Sequence, residues 1–351
     1  MDARGASCCK PVLLNWRFCS MPSHLDPVPV PVPAPAPAPG VGASEATAFP
    51  PAPGAGAGAG TGTGNKRHPH VQLRALDTLW FQVAGTICNI ECTHCFISCS
   101  PRNHSHEMMS LADVQRSLDD ARGLGVREYY FTGGEPFMNR DMLAILEATL
   151  KQGPATVLTN GMLLRPDVCR RLRELFDASE YSLDIRVSLD GFDAESHDAI
   201  RGKGVWDRVM IGLRNLADAG VNPVITVTTA AEGVASEEGR ARFLDVIRGF
   251  GFDRPRLKVL SLFRIGAEEN RTRAYEEWER LNAESLSDEE ASVLQCSSCR
   301  MVTSKGVYVC PILIEEPEAR MGATLGETLR PFQLRYGACH TCWVDGVTCR
   351  T

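Results

Sequence analysis

The sequence predicts an α/β protein organised on a parallel β-sheet. Two observations lead there. Six apolar runs of strand length, between residues 79 and 263, are separated by longer amphipathic segments. Several of these runs are nearly all apolar, as expected for strands covered by helices on both faces. The element order suits either an open doubly wound sheet or an incomplete barrel. In both, chemistry belongs at the carboxyl ends of the strands.

The elements follow in order. LWFQVAG (79–85) reads as a buried strand. SLADVQRSLDDARGLG (110–125) reads as a helix with Ser110 as N-cap and Gly123 or Gly125 near its end. EYYFTGG (128–134), ATVLTNG (155–161), DIRVSLDG (184–191), NPVITVTT (222–229) and RLKVLSLF (256–263) supply five more strands. Helical segments fall between them at 140–153, 165–178, 205–220 and 237–251. TGGEP, TNG and SLDG then close the second, third and fourth strands, and a cysteine-rich loop follows the first. All four groups are expected on one rim.

Residues 26–65 alternate Pro with small residues and then run Gly-Ala-Gly. Such a segment is extended and solvated and cannot bury a core, so residues 1–70 read as a disordered tail. Cys8, Cys9 and Cys19 lie in it and read as incidental thiols. A net charge of −6 gives no basic footprint for nucleic acid or an anionic membrane. No apolar run is long enough to span a bilayer, and Val12-Leu13-Leu14 is too short for a signal-peptide core. A cytoplasmic location is expected, with neither nucleic acid nor membrane as a partner. Fourteen cysteines in such a compartment point to metal or redox chemistry rather than disulfides.

CNIECTHCF (88–96) places Cys88, Cys92 and Cys95 with gaps of three and two residues. Three thiolates can hold three irons of a cubane cluster and leave the fourth open to a small molecule. Two alternatives stand beside this. Cys99 extends the run to Cys92-x2-Cys95-x3-Cys99, close to part of a ferredoxin pattern, and would be a fourth ligand. Cys92 and Cys95 would also serve as half of a zinc site.

The combination of Cys88-x3-Cys92-x2-Cys95 after the first strand, GGEP (133–136), TNG (159–161) and VSLDG (187–191) resembles the radical S-adenosylmethionine enzymes. The resemblance covers roughly residues 75–350, and HDAIRGKGVWDRVMIGLRNLADAG (197–220) is similar to members carrying auxiliary clusters. It implies an incomplete (β/α)6 TIM-type barrel over 75–290. Cys88, Cys92 and Cys95 would hold a [4Fe-4S] cluster whose open iron binds S-adenosylmethionine. Reductive cleavage would give a 5′-deoxyadenosyl radical that abstracts hydrogen from substrate. Gly133, Gly134 and Glu135 would face the methionine amino group. His94 and Phe96 would contact adenine, Asn160, Ser188 and Asp190 ribose or methionine, and Arg201 the methionine carboxylate. Each has a plainer role open to it: a turn for Gly133-Gly134 and Asn160-Gly161, a cap for Asp190, a surface residue for Arg201.

The C-terminal segment holds Cys296-x2-Cys299, Cys310, and Cys339-x2-Cys342-x6-Cys349, with MVTSKGVYV reading as a hairpin that turns at Lys305-Gly306. By spacing alone the two CxxC pairs suit a zinc ribbon. A hairpin with a cysteine at its end resembles the SPASM or twitch auxiliary-cluster module, here 291–351. That resemblance implies one auxiliary [4Fe-4S] cluster, drawn from Cys296 or Cys299 with Cys310, Cys339 and Cys342. His340 offers a further ligand there, but it reads as an exposed histidine.

The expected enzyme is a radical oxidoreductase or maturase, acting on a small molecule or peptide and served by an electron donor such as ferredoxin or flavodoxin. The ending Cys349-Arg350-Thr351, in place of a double glycine, sets it apart from relatives that cyclise GTP. The competing class is a non-catalytic iron–sulfur sensor or zinc-ribbon protein on a degenerate barrel. An intact GGEP beside three cysteines favours the enzyme.

Overall fold

Each of the six apolar runs forms a strand: β1 Thr78–Gln82, β2 Glu128–Thr132, β3 Ala155–Thr159, β4 Leu183–Ser188, β5 Val224–Thr228 and β6 Arg256–Leu260. These coordinates are a computed structural model, which describes residues 68–346 except 232 and 285. The tail expected over 1–70 lies outside the described residues up to residue 67, as do Cys8, Cys9, Cys19 and Cys349.

The six strands are parallel and lie side by side in chain order. A doubly wound sheet reverses its strand order part-way; this one does not, so that alternative is set aside. Nor does a barrel close. β6 stands at one edge of the sheet, and the free side of β1 pairs in parallel with a further strand, β7 Cys299–Thr303. β7 continues into β8 Gly306–Tyr308, and β9 Arg320–Gly322 completes a nine-stranded mixed sheet. The C-terminal hairpin thus extends the main sheet. A two-residue ladder also joins His70–Val71 to Phe332–Gln333.

The hairpin turns one residue earlier than expected, at Ser304-Lys305, with Thr303 paired to Gly306. Gly306 is needed inside the strand instead. A side chain there would sit 2.5 Å from the Gly322 carbonyl oxygen of β9, and its φ is 121°.

The helices return between the strands. α1 Leu111–Ala121 starts at a capping box made by Ser110 and Asp113. It ends before Gly123 and Gly125, both at positive φ, so it is shorter than expected. α2 Met142–Thr149 and α3 Pro166–Ala178 follow, the latter with proline in its first turn. α4 Ala194–Arg201, capped by Asp193, was not legible as a separate helix because its eight residues are too few for a clear period. α5 Val205–Asp218 and α6 Glu237–Arg248 complete the layer. Among the described residues no helix is long and apolar enough to cross a membrane.

The strands are not apolar throughout. Their side chains alternate, and one set is buried and apolar: Leu79 and Phe81, Tyr129 and Phe131, Ile185 and Val187, Ile225 and Val227. Phe81 stacks on Phe131 with centroids 5.3 Å apart. The other set, Trp80 and Gln82, Thr132, Arg186 and Ser188, Thr226 and Thr228, Lys258, lines a cavity of about 1390 Å³, part of it open to solvent.

Candidate active site

The rim of this cavity is built by the loops behind β1 and β2. They are stitched together by backbone bonds, Gly134 N–H to Gly85 O at 2.8 Å and Glu135 N–H to Ile87 O at 3.0 Å. Their approach is so close that a Cβ on Gly134 would lie 1.9 Å from the Ile87 carbonyl oxygen. Further along, Thr93 N–H bonds the Ile200 carbonyl and Ala267 N–H bonds the Cys95 carbonyl. The cysteine loop is therefore held from several sides.

Cys88, Cys92, Cys95 and Cys99 all line the cavity, together with His94, Phe96, Gly133, Gly134, Asn160, Ser188 and Arg201. Burial pushes the Cys88 thiol up to about 11, and the Cys92 thiol to about 12 against the pull of Arg201. Cys95 goes the other way, down to about 6, because the Cys99 side chain and backbone donate to its sulfur. The buried neutral thiols of Cys88 and Cys92 would become thiolates on binding a cation. Among the described residues no three His, Cys, Asp or Glu side chains converge as on a single metal ion. The donor set, the roomy cavity and the side-chain-free cradle at Gly133-Gly134 fit a three-cysteine cluster with a ligand beside it.

The side chains of two predicted residues are buried behind the wall. Glu135 is fully buried and absent from the cavity wall. Its carboxylate accepts from Phe137 N at 3.0 Å, Asn160 N at 2.8 Å and the Thr159 hydroxyl at 2.7 Å. Burial raises its pKa, opposed by these donors. The carboxylate ties the ends of β2 and β3 together and leaves only backbone groups of this loop to meet a ligand. Asp190 is likewise fully buried behind the wall. It accepts from His94 Nε2 and Arg201 Nε at 2.7 Å and from Thr228 N and Oγ1 at 2.7 and 2.8 Å. Burial would raise its pKa, but Arg201 and His94 outweigh that and hold it far below the ordinary range. Asp190 thus locks His94 and Arg201 in place, with an Arg201 Nη 4.0 Å from the Cys92 sulfur. Asn160 donates to Asn89 Oδ1 at 2.7 Å, its amide nitrogen 3.7 Å from the Cys88 sulfur.

Sequence reasoning missed Gln82, Arg186, Thr226 and Lys258 on the wall. The available signal was a polar residue at every second position of otherwise apolar strands.

A second cavity, of about 390 Å³ and partly open to solvent, has Cys296, Cys310, Cys339 and Cys342 among its walls. Cys339 and Cys342 lie on α7 Gly337–Val344. Cys299 is not among its walls. It lies buried in β7 with its sulfur 3.8 Å from the Val309 carbonyl oxygen. Burial raises Cys296, Cys310 and Cys339, the last to about 12. Arg300, itself buried, donates to the carbonyls of Cys296, Cys299, Thr328 and Arg330 and fixes the entrance to the hairpin. His340 is half-buried, edge-on to Trp343 and Trp278, and is not part of the wall.

Residues 83–244 match the model of the Radical SAM superfamily. The chain carries a radical SAM domain. Its similarity to the mycofactocin maturase MftC of Mycolicibacterium smegmatis is 34% identity over 134 residues, 38% of this chain and 32% of that relative. The match thus spans about a third of the maturase's length. Streptococcus suis SuiB bound to the precursor peptide SuiA superposes with a TM-score of 0.57 at 17% identity, covering 74% of this chain and 65% of that one. anSMEcpe bound to AdoMet and the Cp18Cys peptide gives 0.52 at 16% identity, over 72% and 79%. These two likenesses are of fold. The radical SAM domain covers the cysteine loop, β2 to β5 and most of α6, and so holds the first cysteine set.

Proposed function

We propose that this protein is a radical S-adenosylmethionine enzyme that modifies a substrate by hydrogen abstraction. Cys88, Cys92 and Cys95 would hold a [4Fe-4S] cluster, with S-adenosylmethionine bound beside it in the same cavity. When bound, this pair supplies a reductively generated 5′-deoxyadenosyl radical. The chain's own part is to bind and orient. Gly133 and Gly134 let backbone carbonyls approach an ammonium group. Arg201, held by Asp190, offers its guanidinium to a carboxylate, and Phe96 and His94 flank the last ligand. The apolar wall, including Leu260, Phe263 and Ile312, limits water near a reactive carbon. The carrying observation is that all three cysteines of the CxxxCxxC run face one cavity beside the Gly133-Gly134 cradle.

Cys296, Cys310, Cys339 and Cys342 are the proposed ligands of an auxiliary [4Fe-4S] cluster. Full cysteine ligation suits electron transfer, which makes the net reaction an oxidation. A peptide is the proposed substrate, by analogy with SuiB and anSMEcpe, both solved with peptides bound, and electrons come from a ferredoxin- or flavodoxin-type donor. Anaerobic reconstitution followed by dithionite and S-adenosylmethionine tests the reading. It expects about eight irons per chain and formation of 5′-deoxyadenosine. Zinc in place of iron, with no cleavage, would overturn it.

A further inference from the structure

Three arginines are buried among the described residues, and their charges are not compensated alike: Arg186 at 2% exposure, Arg201 at 8% and Arg300 at 1%. Arg201 meets the Asp190 carboxylate at 2.7 Å. Arg300 donates to four backbone carbonyls. Arg186 has one side-chain hydrogen bond, at 3.3 Å to the Tyr130 hydroxyl, and its guanidinium carbon stands 5.1 Å from the centre of the same ring. That hydroxyl is itself turned to Glu128 at 2.8 Å. Arg186 Nε has no partner. Burying a cation with so little compensation is costly, and a protein retains such a group where something else completes it.

The place of Arg186 says what that is. It lies on β4 two residues before Ser188, one pleat further from the rim, and lines the same cavity as the cysteines. Two more buried polar atoms without partners, Trp80 Nε1 and Gln82 Oε1, belong to residues on this wall. Lys258, opposite Thr226 on β6, brings a second cation to it. The proposed function gives the cofactor's carboxylate to Arg201, beside Cys92, which leaves Arg186 for another anion.

We propose that Arg186 is a specificity residue that receives an oxyanion of the substrate, a carboxylate or a phosphoryl group, on the wall of the cavity. The inference rests on the reading of that cavity as a substrate site. A planar guanidinium favours such a group by paired N–H···O bonds, and low polarity around it strengthens them.

The test uses the reconstituted full chain with S-adenosylmethionine and no reductant. Thermal unfolding is followed against acetate, inorganic phosphate and chloride at equal ionic strength. Acetate or phosphate is expected to raise the midpoint of the wild type beyond chloride, and Arg186→Gln to need at least about tenfold more anion for the same shift. A response to acetate alone assigns a carboxylate, and one to phosphate alone a phosphoryl group. No response beyond chloride in the wild type, or an unchanged response in Arg186→Gln, overturns the proposal. Arg186→Met is expected to unfold no earlier than the wild type; a drop of more than about 5 °C would make the arginine structural. A tenfold or greater loss of S-adenosylmethionine affinity in Arg186→Gln would assign it to the cofactor and likewise overturn the proposal. These readouts are independent of cleavage. Anion binding on Arg186 without 5′-deoxyadenosine formation in the wild type would refute the proposed function and not the anion site.

Discussion

Gly134→Ala probes the joint on which the whole site depends. The added Cβ would lie 1.9 Å from the Ile87 carbonyl oxygen, 2.2 Å from its carbon and 2.7 Å from Cys88 N. Ordinary contact begins near 3.4 Å, so one of the two loops must retreat by roughly 1.5 Å. Both are backbone, and neither can rotate away as a side chain would. The retreat breaks or stretches the bonds from Gly134 N and Glu135 N, and it moves Cys88 directly. Overpacking of this size costs about 1–3 kcal/mol, so the fold survives with a lower melting point. A shift of about 1 Å at a reacting site costs on the order of a hundredfold in rate. The expected variant keeps about four irons per chain, those of the second cysteine set, and loses most 5′-deoxyadenosine formation. Iron analysis, the melting curve and product quantification on one preparation decide it. Wild-type iron content and cleavage would refute the argument that this contact positions the cysteine loop.

Three further outcomes are expected. Cys310→Ala should remove about four irons and leave uncoupled cleavage, whereas Cys299→Ala should keep the full iron count, because Cys299 is not among the walls of the second cavity and its sulfur lies against the Val309 carbonyl oxygen. Equal iron loss in both would void the four-ligand assignment. Asp190→Asn leaves Arg201 buried without its carboxylate and should destabilise the chain by about 3–5 kcal/mol, a loss that Arg201→Met in the same chain partly restores; denaturant unfolding of the double-mutant cycle measures the coupling. His197 accepts from Asp190 N and is fully buried, and burial, aided by Arg201, lowers its pKa to about 4. The folded state therefore stays neutral while the unfolded chain takes a proton near pH 6.5. Stability present above pH 6.5 should fall by roughly 3 kcal/mol on acidification to pH 4 and be flat below. Asp190 and Asp198 oppose the shift. His197→Asn should lose this slope, seen as the difference between the two proteins' stability profiles over that range; parallel profiles would exclude the histidine as its source.

Much of the architecture is written locally. All six parallel strands appear at the apolar runs, because a buried parallel strand must be apolar over a short length and is bounded by turn residues. Ser110 marks a helix start through bonds made within one turn, and the proline at the start of α3 does so through its fixed φ and missing N–H. Cys88, Cys92 and Cys95 declare themselves by spacing, since ligands from one loop need no distant partner to be recognised. Three features had to wait for the tertiary structure, each because it depends on chain remote in sequence. Strand order, and with it the open edge at β6 and the docking of β7 on β1, is set by which edges meet. The division of labour among the carboxylates is set by packing: Glu135 and Asp190 stand in motifs that suggest ligand contact, yet donors from β3, β5 and α4 turn them inward. And only the fold separates Cys296 from Cys299. They lie three residues apart, but one enters a cavity shared with α7 while the other stays in a strand. The sequence by itself determined the strands and the first cysteine set; the choice of the four thiols around the second cavity, and of the arginine left uncompensated in the first, belongs to the tertiary structure, because burial and charge pairing are properties of neighbours that the chain brings together only on folding.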